Sequence, residues 1–204
     1  MRVGIFGGTF DPVHYGHLIV AEQAREQAAL DQVWFVPSAR PPHKVDRPVT
    51  PFDRRAGMLA LALAGQEDKF RIDTPEKDRT GLSYTADTLD ALHEAHPATD
   101  WFLLLGADSV GDLPGWHEPL RIIDRATIIV AGRPGHPVWS AGELGAELGA
   151  DPERVRLSVV DAPLIDIASR DLRRRAAEGR SLLFQLPHAV EVYIREKKLY
   201  RAAS

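Results

Sequence analysis

The sequence predicts an α/β fold built on a doubly wound, mostly parallel sheet. Short apolar runs rich in β-forming residues alternate with helical stretches, a pattern typical of parallel strands with helices on both faces. The first run leads straight into a glycine-rich turn before a helix, the junction at which open α/β sheets bind phosphates. We expect one domain over residues 1–204, because this length is ordinary for one domain and no repeat or linker divides the chain.

The elements follow from the positions of the apolar residues. The strand candidates are 2–6, 32–36, 70–73, 101–105, 127–130 and 155–160. The first helix is expected to begin near Gly16, since Leu18, Ala21, Ala24 and Ala28 recur at helical spacing and form one face. Further helices are expected over 51–64, 85–95, 144–148, 170–178 and 189–197.

The segment 38–51, between the second strand and the second helix, predicts an extended loop. It is rich in prolines and basic residues, namely Pro41, Pro42, Pro48 and Pro51 with Arg40, Lys44 and Arg47. Long loops in compact domains are often functional lids, so we expect this loop to contribute to a site.

Composition narrows the classes of function. The net charge is −4, which argues against a general basic surface for nucleic acid or an anionic membrane. There is no cysteine, so disulfides and thiolate metal sites are excluded. The chain starts directly with a strand candidate, and no apolar run approaches a membrane span, so we expect a cytoplasmic protein.

The turn from Gly7 to His17 is the strongest candidate site. It reads G-G-T-F-D-P-V-H-Y-G-H, which is neither the dinucleotide fingerprint nor a P-loop. Its glycines allow backbone N–H groups to approach an anion, and the following helix start adds partial positive charge. His14 and His17 are three positions apart and can face the same ligand.

Polar and basic residues also follow the later strands, where the carboxyl ends of a parallel sheet bind ligands. They are Arg40, His43 and Lys44 after the second strand, Asp108 after the fourth, Arg133 after the fifth, and Ser169 and Arg173 after the sixth. Ser169 is the expected N-cap of the helix that follows, with Arg173 one turn into it. Basic groups at successive strand ends predict a pocket for a polyphosphate.

These motifs together resemble the nicotinate-nucleotide adenylyltransferases, a family of the nucleotidylyltransferase superfamily. The superfamily signature is the H-x-G-H at 14–17. The family pattern is Pro-Pro-His-Lys at 41–44, Ser-Tyr-Thr at 83–85, Asp-Thr-Leu at 87–89, Gly-Ala-Asp at 106–108, Trp-His at 116–117, Arg-Pro-Gly at 133–135, the run 167–173, Val-Tyr-Ile at 192–194 and Leu-Tyr at 199–200. The resemblance covers essentially the whole chain. It implies a Rossmann-like nucleotidylyltransferase fold.

The resemblance also implies a reaction, the transfer of AMP from ATP to nicotinate mononucleotide, giving deamido-NAD and pyrophosphate, with Mg²⁺ bound with ATP. The implied catalytic residues are His14, His17, Lys44 and Arg173. The implied ATP-binding residues are Gly7, Gly8, Thr9, Phe10, His14, His17, Gly106, Asp108, Ser169, Arg170 and Arg173. The implied mononucleotide-binding residues are Lys44, Thr85, Trp116, His117 and Arg133. The C-terminal helical part, about 165–204, is expected to complete the ATP site.

The chemistry of this reaction needs no general base. The attacking phosphate oxygen is already largely ionised near neutral pH, since the second pKa of a phosphate monoester is about 6. Catalysis then consists of aligning two polyanions and neutralising the charge that develops on the α-phosphate and the leaving pyrophosphate. We expect the histidines to act as charge stabilisers, and a zinc site is not indicated because no third ligand set lies near them.

The chain departs from the family pattern in one place. The family usually reads I-S-S-T-x-[IL]-R where this chain has Ala168 and Arg170, so two hydroxyl donors are missing. We hypothesise that Arg170 offsets the lost contacts to the β- and γ-phosphates of ATP.

Three alternatives stay open at this point. The acceptor could be nicotinamide mononucleotide, or it could be phosphopantetheine, although enzymes for the latter would lack the Trp116 and Thr85 elements. A non-catalytic nucleotide sensor on the same fold is disfavoured because His14, His17 and Lys44 are all retained. A chain of 204 residues is too short to favour a class I aminoacyl-tRNA synthetase. The sequence leaves the oligomeric state open, a homo-oligomer included.

Overall fold

The central sheet has six strands in the order β3-β2-β1-β4-β5-β6. The structure is a computed structural model that describes residues 1–42, 49–132, 139–163 and 165–201. The strands are β1 Arg2–Gly8, β2 Gln32–Pro37, β3 Phe70–Ile72, β4 Asp100–Gly106, β5 Thr127–Ala131 and β6 Leu157–Val160. All the pairings between these strands are parallel. The predicted α/β fold with a doubly wound, parallel sheet is confirmed. The strand order reverses between β1 and β4, which is where such sheets bind ligands.

Helices cover both faces of the sheet. In the described ranges they are α1 Tyr15–Gln27, α2 Phe52–Leu63, α3 Thr85–Ala95, α4 Ala107–Asp112, α5 Pro119–Arg125, α6 Ala141–Leu148, α7 Ser169–Ala177 and α8 His188–Glu196. Short 3₁₀ turns lie at Leu113–Gly115 and Pro152–Arg154. None of the helices described is long and apolar enough to cross a bilayer.

The side chains of each strand alternate between two hydrophobic layers. In β1, Val3 and Ile5 point into the layer formed with α3, α4, α5 and α6. In β2, Val33 and Phe35 point into the opposite layer, formed with α1, α2, α7 and α8. Because the central strands β1, β2, β4 and β5 are largely buried on both faces, they read as continuous apolar runs in the sequence.

Two elements begin at residues other than the predicted ones, and local contacts explain the difference. Helix α6 begins at Ala141 and not at residue 144, because Ser140 and Glu143 form a capping box in which the Glu143 N–H donates to the Ser140 Oγ at 3.2 Å. Strand β6 begins at Leu157 and not at residue 155, because Val155 is the C-cap of the 3₁₀ turn Pro152–Arg154 and its N–H donates to the Pro152 carbonyl at 3.1 Å.

Helices α4 and α5 were not predicted from the sequence. They have six and seven residues, too few for a helical repeat of apolar positions to stand out. The Pro114-Gly115 dipeptide between them also reads as a turn.

Candidate nucleotide-binding site

The turn between β1 and α1 lies at the carboxyl end of the sheet, beside the switch point. Gly7 and Gly8 end β1, and Gly7 is exposed while Thr9 is half-buried. Phe10 has a left-handed backbone conformation with φ of 48°. Its ring is buried in the core, so only the backbone of Phe10 can face a nucleotide. A Cβ on Gly8 would lie 3.1 Å from that ring, which explains the glycine.

The two predicted histidines stack on each other at the start of α1. Their ring centroids are 3.7 Å apart at an interplanar angle of 26°. His14 is the N-cap of α1 and is 5% exposed. Its backbone N–H donates to the Nδ1 of His17 at 3.3 Å. In neutral His17 the ring proton therefore lies on Nε2, which is left as the donor.

Gly16 separates the two histidines for a steric reason. A Cβ at this position would lie 3.0 Å from Nδ1 of His14, tighter than ordinary contact. The H-x-G-H spacing thus allows the imidazoles to stack, with His14 as the N-cap of α1 and His17 in its first turn.

Helix α7 is the second wall of this site. The Oγ of Ser169 donates to the carbonyl of Pro12 at 2.9 Å, and Nη1 of Arg173 donates to the carbonyl of Asp11 at 2.7 Å. Both residues predicted from the sequence therefore meet the turn after β1. The expected N-cap role of Ser169 is wrong: Ala168 is the N-cap, and the Ser169 hydroxyl bonds to the turn and not to its own helix.

Arg170 does not share this orientation. Its side chain is 81% exposed, and its Nε lies 3.9 Å from a carboxylate oxygen of Asp171. Since Ser169 and Arg173 face the turn, Arg170 extends from α7 into solvent in this structure.

The end of β4 supplies the carboxylate of the site. Asp108 is the second residue of α4, whose N-cap is Gly106. A Cβ on Gly106 would come within 2.6 Å of Oδ1 of Asp108, so the glycine makes room for this carboxylate. Because β4 pairs with β1, Asp108 lies across the switch-point crevice from the histidine turn.

Two of the predicted mononucleotide residues, Thr85 and His117, lie at the start of α3. Thr85 is the first residue of α3, and Tyr84 is its N-cap. The exposed ring of His117 lies 4.2 Å from that of Tyr84. Trp116 is half-buried and packs against the first hydrophobic layer. The structure thus brings His117, with Trp116 beside it in the chain, to the N-cap of the helix that Thr85 begins. Just before that helix, the Ser83 N–H donates to the Arg40 carbonyl at 2.9 Å, and the Arg40 N–H donates to the Ser83 Oγ at 3.0 Å.

Acidic side chains surround this second region and are paired. Arg121 of α5 contacts Asp87 at 2.6 Å and Asp90 at 3.0 Å, and it also pairs with Glu118. Arg125 contacts Asp90 at 2.7 Å. The cations of α5 therefore balance the carboxylates that flank the start of α3.

Two predicted site residues, Lys44 and Arg133, lie outside the described residues, as do the rest of 43–48 and 133–138. The ends of the first segment are described. Glu76, which is buried, accepts the Ala39 N–H at 3.1 Å and the Thr88 hydroxyl at 2.9 Å, so α3 and the segment after β2 are joined.

Sequence reasoning missed three polar residues that meet at the turn, the buried Asp11 and Arg55 and the half-buried Tyr200. Asp11 and Tyr200 lie inside motifs that were recognised without a role for them. Arg55 did leave a signal, since it falls at helical spacing with Met58 and Leu59 on the apolar face of α2. A charged residue on such a face is either paired or functional.

Burial perturbs two of these groups. Desolvation lowers the pKa of the Arg55 guanidinium, while Asp11 works in the other direction. Desolvation and the neighbouring Asp11 carboxylate raise the pKa of the Tyr200 phenol, which therefore stays protonated at neutral pH.

The fold and this site define the class of the protein as a nucleotidylyltransferase. A family model described as cytidylyltransferase-like matches residues 5–175, which include the histidine turn and α7 through Arg173. Among solved structures, the chain is similar in fold to Plasmodium falciparum nicotinic acid mononucleotide adenylyltransferase complexed with NaAD. The TM-score is 0.79 at 19% identity, and the match covers 98% of this chain and 97% of that one.

Curated relatives identify the family more closely. The chain is 48% identical over 200 residues to the probable nicotinate-nucleotide adenylyltransferase of Thermomicrobium roseum, covering 98% of this chain and 92% of that protein. It is 43% identical over 203 residues to the probable nicotinate-nucleotide adenylyltransferase of Thermus thermophilus, covering 98% and 100%. The chain therefore belongs to the cytidylyltransferase-like family and, within it, to the nicotinate-nucleotide adenylyltransferases.

Proposed function

We propose that the protein transfers the adenylyl group of ATP to nicotinate mononucleotide, releasing pyrophosphate and forming deamido-NAD for NAD biosynthesis. Family membership supports the reaction, since relatives with this name match over nearly the full length of the chain. The observation that carries the proposal in the structure is the stacked His14–His17 pair on a turn at the switch point. The neighbouring Ser169 and Arg173 complete a cradle of donors around that turn.

The cradle explains how the α-phosphate of ATP would be activated. The Nε2–H of His17 donates to an α-phosphate oxygen, and the N–H groups after Gly7 meet the phosphates. Arg173 and the start of α7 add positive charge where pyrophosphate leaves. The acceptor phosphate is already ionised, so these residues stabilise charge and align the reactants without removing a proton. Lys44 is assigned to the same charge stabilisation by its place in the motif.

The adenosine of ATP and the pyridine ring of the mononucleotide would occupy the two sides of the crevice. Asp108 accepts hydrogen bonds from the adenosine ribose, with Gly106 allowing its approach. Trp116 stacks on the pyridine ring, and the N–H groups at the start of α3 near Thr85 bind the nicotinate carboxylate. His117, held against Tyr84, and Arg133 line the same mononucleotide site. Backbone N–H donors favour a carboxylate over a carboxamide, which carries its own donors.

Mg²⁺ would enter as part of the MgATP substrate and neutralise the β- and γ-phosphate charge. Mg²⁺ keeps several waters and is typically held by substrate phosphates with few protein ligands. Among the described residues, the metal-capable groups that approach within 4.8 Å of one another are Asp87, His117 and Glu118. These lie at the mononucleotide side, and Arg121 already engages two of them. We therefore place the ion on ATP and not in a protein cage.

We infer a cytoplasmic enzyme with ATP and nicotinate mononucleotide as its partners. The absence of cysteine supports a reducing compartment, and the mild net charge of −4 gives no support for nucleic-acid or membrane binding.

Pyrophosphate release with each mononucleotide tests the proposed function. We expect turnover with MgATP and nicotinate mononucleotide to exceed turnover with the nicotinamide form. A preference for the amide would contradict the proposed substrate. His17→Ala should reduce kcat by about 10²-fold or more, the typical loss when one preorganised charge-stabilising donor is removed. Full activity of that variant would contradict the mechanism.

A further inference from the structure

The carboxylate of Asp11 lies beneath the phosphate turn and is only 4% exposed. Its Oδ1 accepts the Tyr200 hydroxyl at 2.6 Å, and its Oδ2 accepts the Thr50 N–H at 3.2 Å. Each oxygen therefore has a donor from a different part of the chain. Asp11 is thus the point at which the C-terminal segment and the residues before α2 meet the turn.

Arg55 of α2 joins Asp11 and Tyr200 in a cluster of polar side chains at this turn. It is 1% exposed, and its guanidinium donates to three backbone carbonyls. Nη1 donates to Thr9 at 2.9 Å, Nη2 to Ser38 at 2.8 Å, and Nε to Thr50 at 2.8 Å. These carbonyls belong to the phosphate turn, to the segment after β2 and to the residues before α2.

The hydrogen bonds of Arg55 and Tyr200 end on the turn that leads to the two histidines. The acceptors on the turn are the main chain of Thr9 and the carboxylate of Asp11, which precede His14 and His17 by a few residues. Nη1 of Arg173 also donates to the carbonyl of Asp11 at 2.7 Å. The shape of residues 9–12 is therefore set by donors from α2, α7 and the C-terminal segment.

We propose that Tyr200 and Arg55 are positioning residues that hold the turn 9–12 in the shape that receives ATP, Tyr200 acting through Asp11 and Arg55 through Thr9. The proposal rests on ATP binding at this turn, as in the proposed function. The planar fork of Arg55 satisfies three carbonyls at once, which a lysine at this position does not reproduce. The high pKa of the Tyr200 phenol keeps it a donor over the working pH range.

Tyr200→Phe tests the role of the hydroxyl with little change in shape. We expect the KM for ATP to rise about fivefold with a lower kcat, and the KM for nicotinate mononucleotide to stay within about twofold. One hydrogen bond to a charged group is lost, and only part of its effect reaches the substrate. A merely structural role would lower the melting temperature without separating the two KM values. Equal KM values for wild type and variant, or an equal rise for both substrates, would overturn the proposal.

Tyr193→Phe is the matched control. Tyr193 lies in α8. Its hydroxyl accepts a hydrogen bond from Nη1 of Arg54 at 3.4 Å and does not contact the turn. This variant should leave both KM values unchanged. If Tyr200→Phe fails to fold, Asp11→Asn gives the same test, because it removes the acceptor charge and keeps the size. A wild-type KM for ATP in Asp11→Asn would overturn the proposal.

Arg55→Lys separates charge from geometry. We expect it to remain as defective toward ATP as Arg55→Met, because the three carbonyls are not all reached. Recovery of the wild-type KM for ATP with lysine would show that the charge alone suffices and would overturn the role of the fork. Failure of the proposed function is distinguishable: there, His17→Ala would also leave the ATP kinetics unchanged.

Discussion

At the residue scale, α7 shows how neighbouring positions of one helix face different surroundings. Ser169 and Arg173 bond to the carbonyls of Pro12 and Asp11. Arg170, one position after Ser169, is instead 81% exposed. The family pattern places hydroxyl residues at 168 and 170, so this chain must replace their contacts or do without them. We hypothesise that the exposed Arg170 side chain moves toward the polyphosphate when ATP binds.

Arg170→Ala decides between these outcomes. If Arg170 reaches the β- and γ-phosphates, the KM for ATP should rise about tenfold, which corresponds to one charge-assisted hydrogen bond of about 1.5 kcal/mol. Arg174→Ala is the control, because Arg174 is on the same helix and pairs with Asp171 at 3.0 Å. An unchanged KM for ATP in steady-state kinetics would mean that Arg170 stays in solvent.

Sequence reasoning located the residues of the turn but not the direction of each side chain. The H-x-G-H spacing predicted two imidazoles on one ligand, and the structure stacks them. It did not predict that the Phe10 ring turns inward or that Ser169 bonds to Pro12. Those orientations depend on a positive φ and on a partner more than 150 residues away, which local patterns do not encode.

At the element scale, α3 and α5 form a charged contact beside the proposed nicotinate site. Asp87, Asp90 and Glu118 all pair with Arg121, and Asp87 lies in the first turn of α3. Carboxylates near a helix N-terminus that binds an anionic substrate compete with it. We propose that Arg121 offsets that competition by pairing with these carboxylates. Helix α3 was predicted with its observed bounds, whereas α5 was too short to recognise.

Arg121→Gln should therefore weaken binding of the acid substrate. We expect the KM for nicotinate mononucleotide to rise about threefold, because three carboxylates lose their shared cation, and the KM for the nicotinamide form to change less. Arg154→Gln is the control, since Arg154 pairs with Asp124 of the same helix α5 at 2.6 Å. The ratio of the two KM values at low salt is the measurement. An unchanged ratio would contradict an electrostatic role.

At the scale of the whole molecule, the ends of the chain meet at the site. Tyr200 and Asp11 are 189 residues apart and share a hydrogen bond of 2.6 Å. The alternation of strands and helices was enough to predict the parallel sheet and its binding edge, because those follow from local periodicity and strand connection. The Tyr200–Asp11 contact and the Arg55 fork follow only from the packing of α2 and α8 on one face. The partners of Tyr200 and Arg55 were therefore beyond sequence reasoning, although the place of Arg55 on the apolar face of α2 marked it as paired or functional.

The cluster of Asp11, Tyr200 and Arg55 predicts how the stability of the fold changes at alkaline pH. The pKa of Tyr200 is raised in the folded state above its ordinary value of 10.0 by burial and by Asp11. The folded state therefore holds this proton above pH 10, where the unfolded chain releases it. The stabilisation from Tyr200 is fully present below pH 10 and is lost progressively as the pH rises beyond that value.

Urea unfolding between pH 9 and about pH 11.5 measures this effect. We expect the free energy of unfolding to fall more steeply with pH in wild type than in Tyr200→Phe, which has no proton to lose at this position. Arg55, whose pKa is lowered by burial, and Asp11 and Arg173, which face the phenol, remain in both proteins. Tyr193→Phe should keep the wild-type slope, since Tyr193 contacts Arg54 outside the cluster. Parallel curves for wild type and Tyr200→Phe would show that the folded state releases the Tyr200 proton as easily as the unfolded chain does.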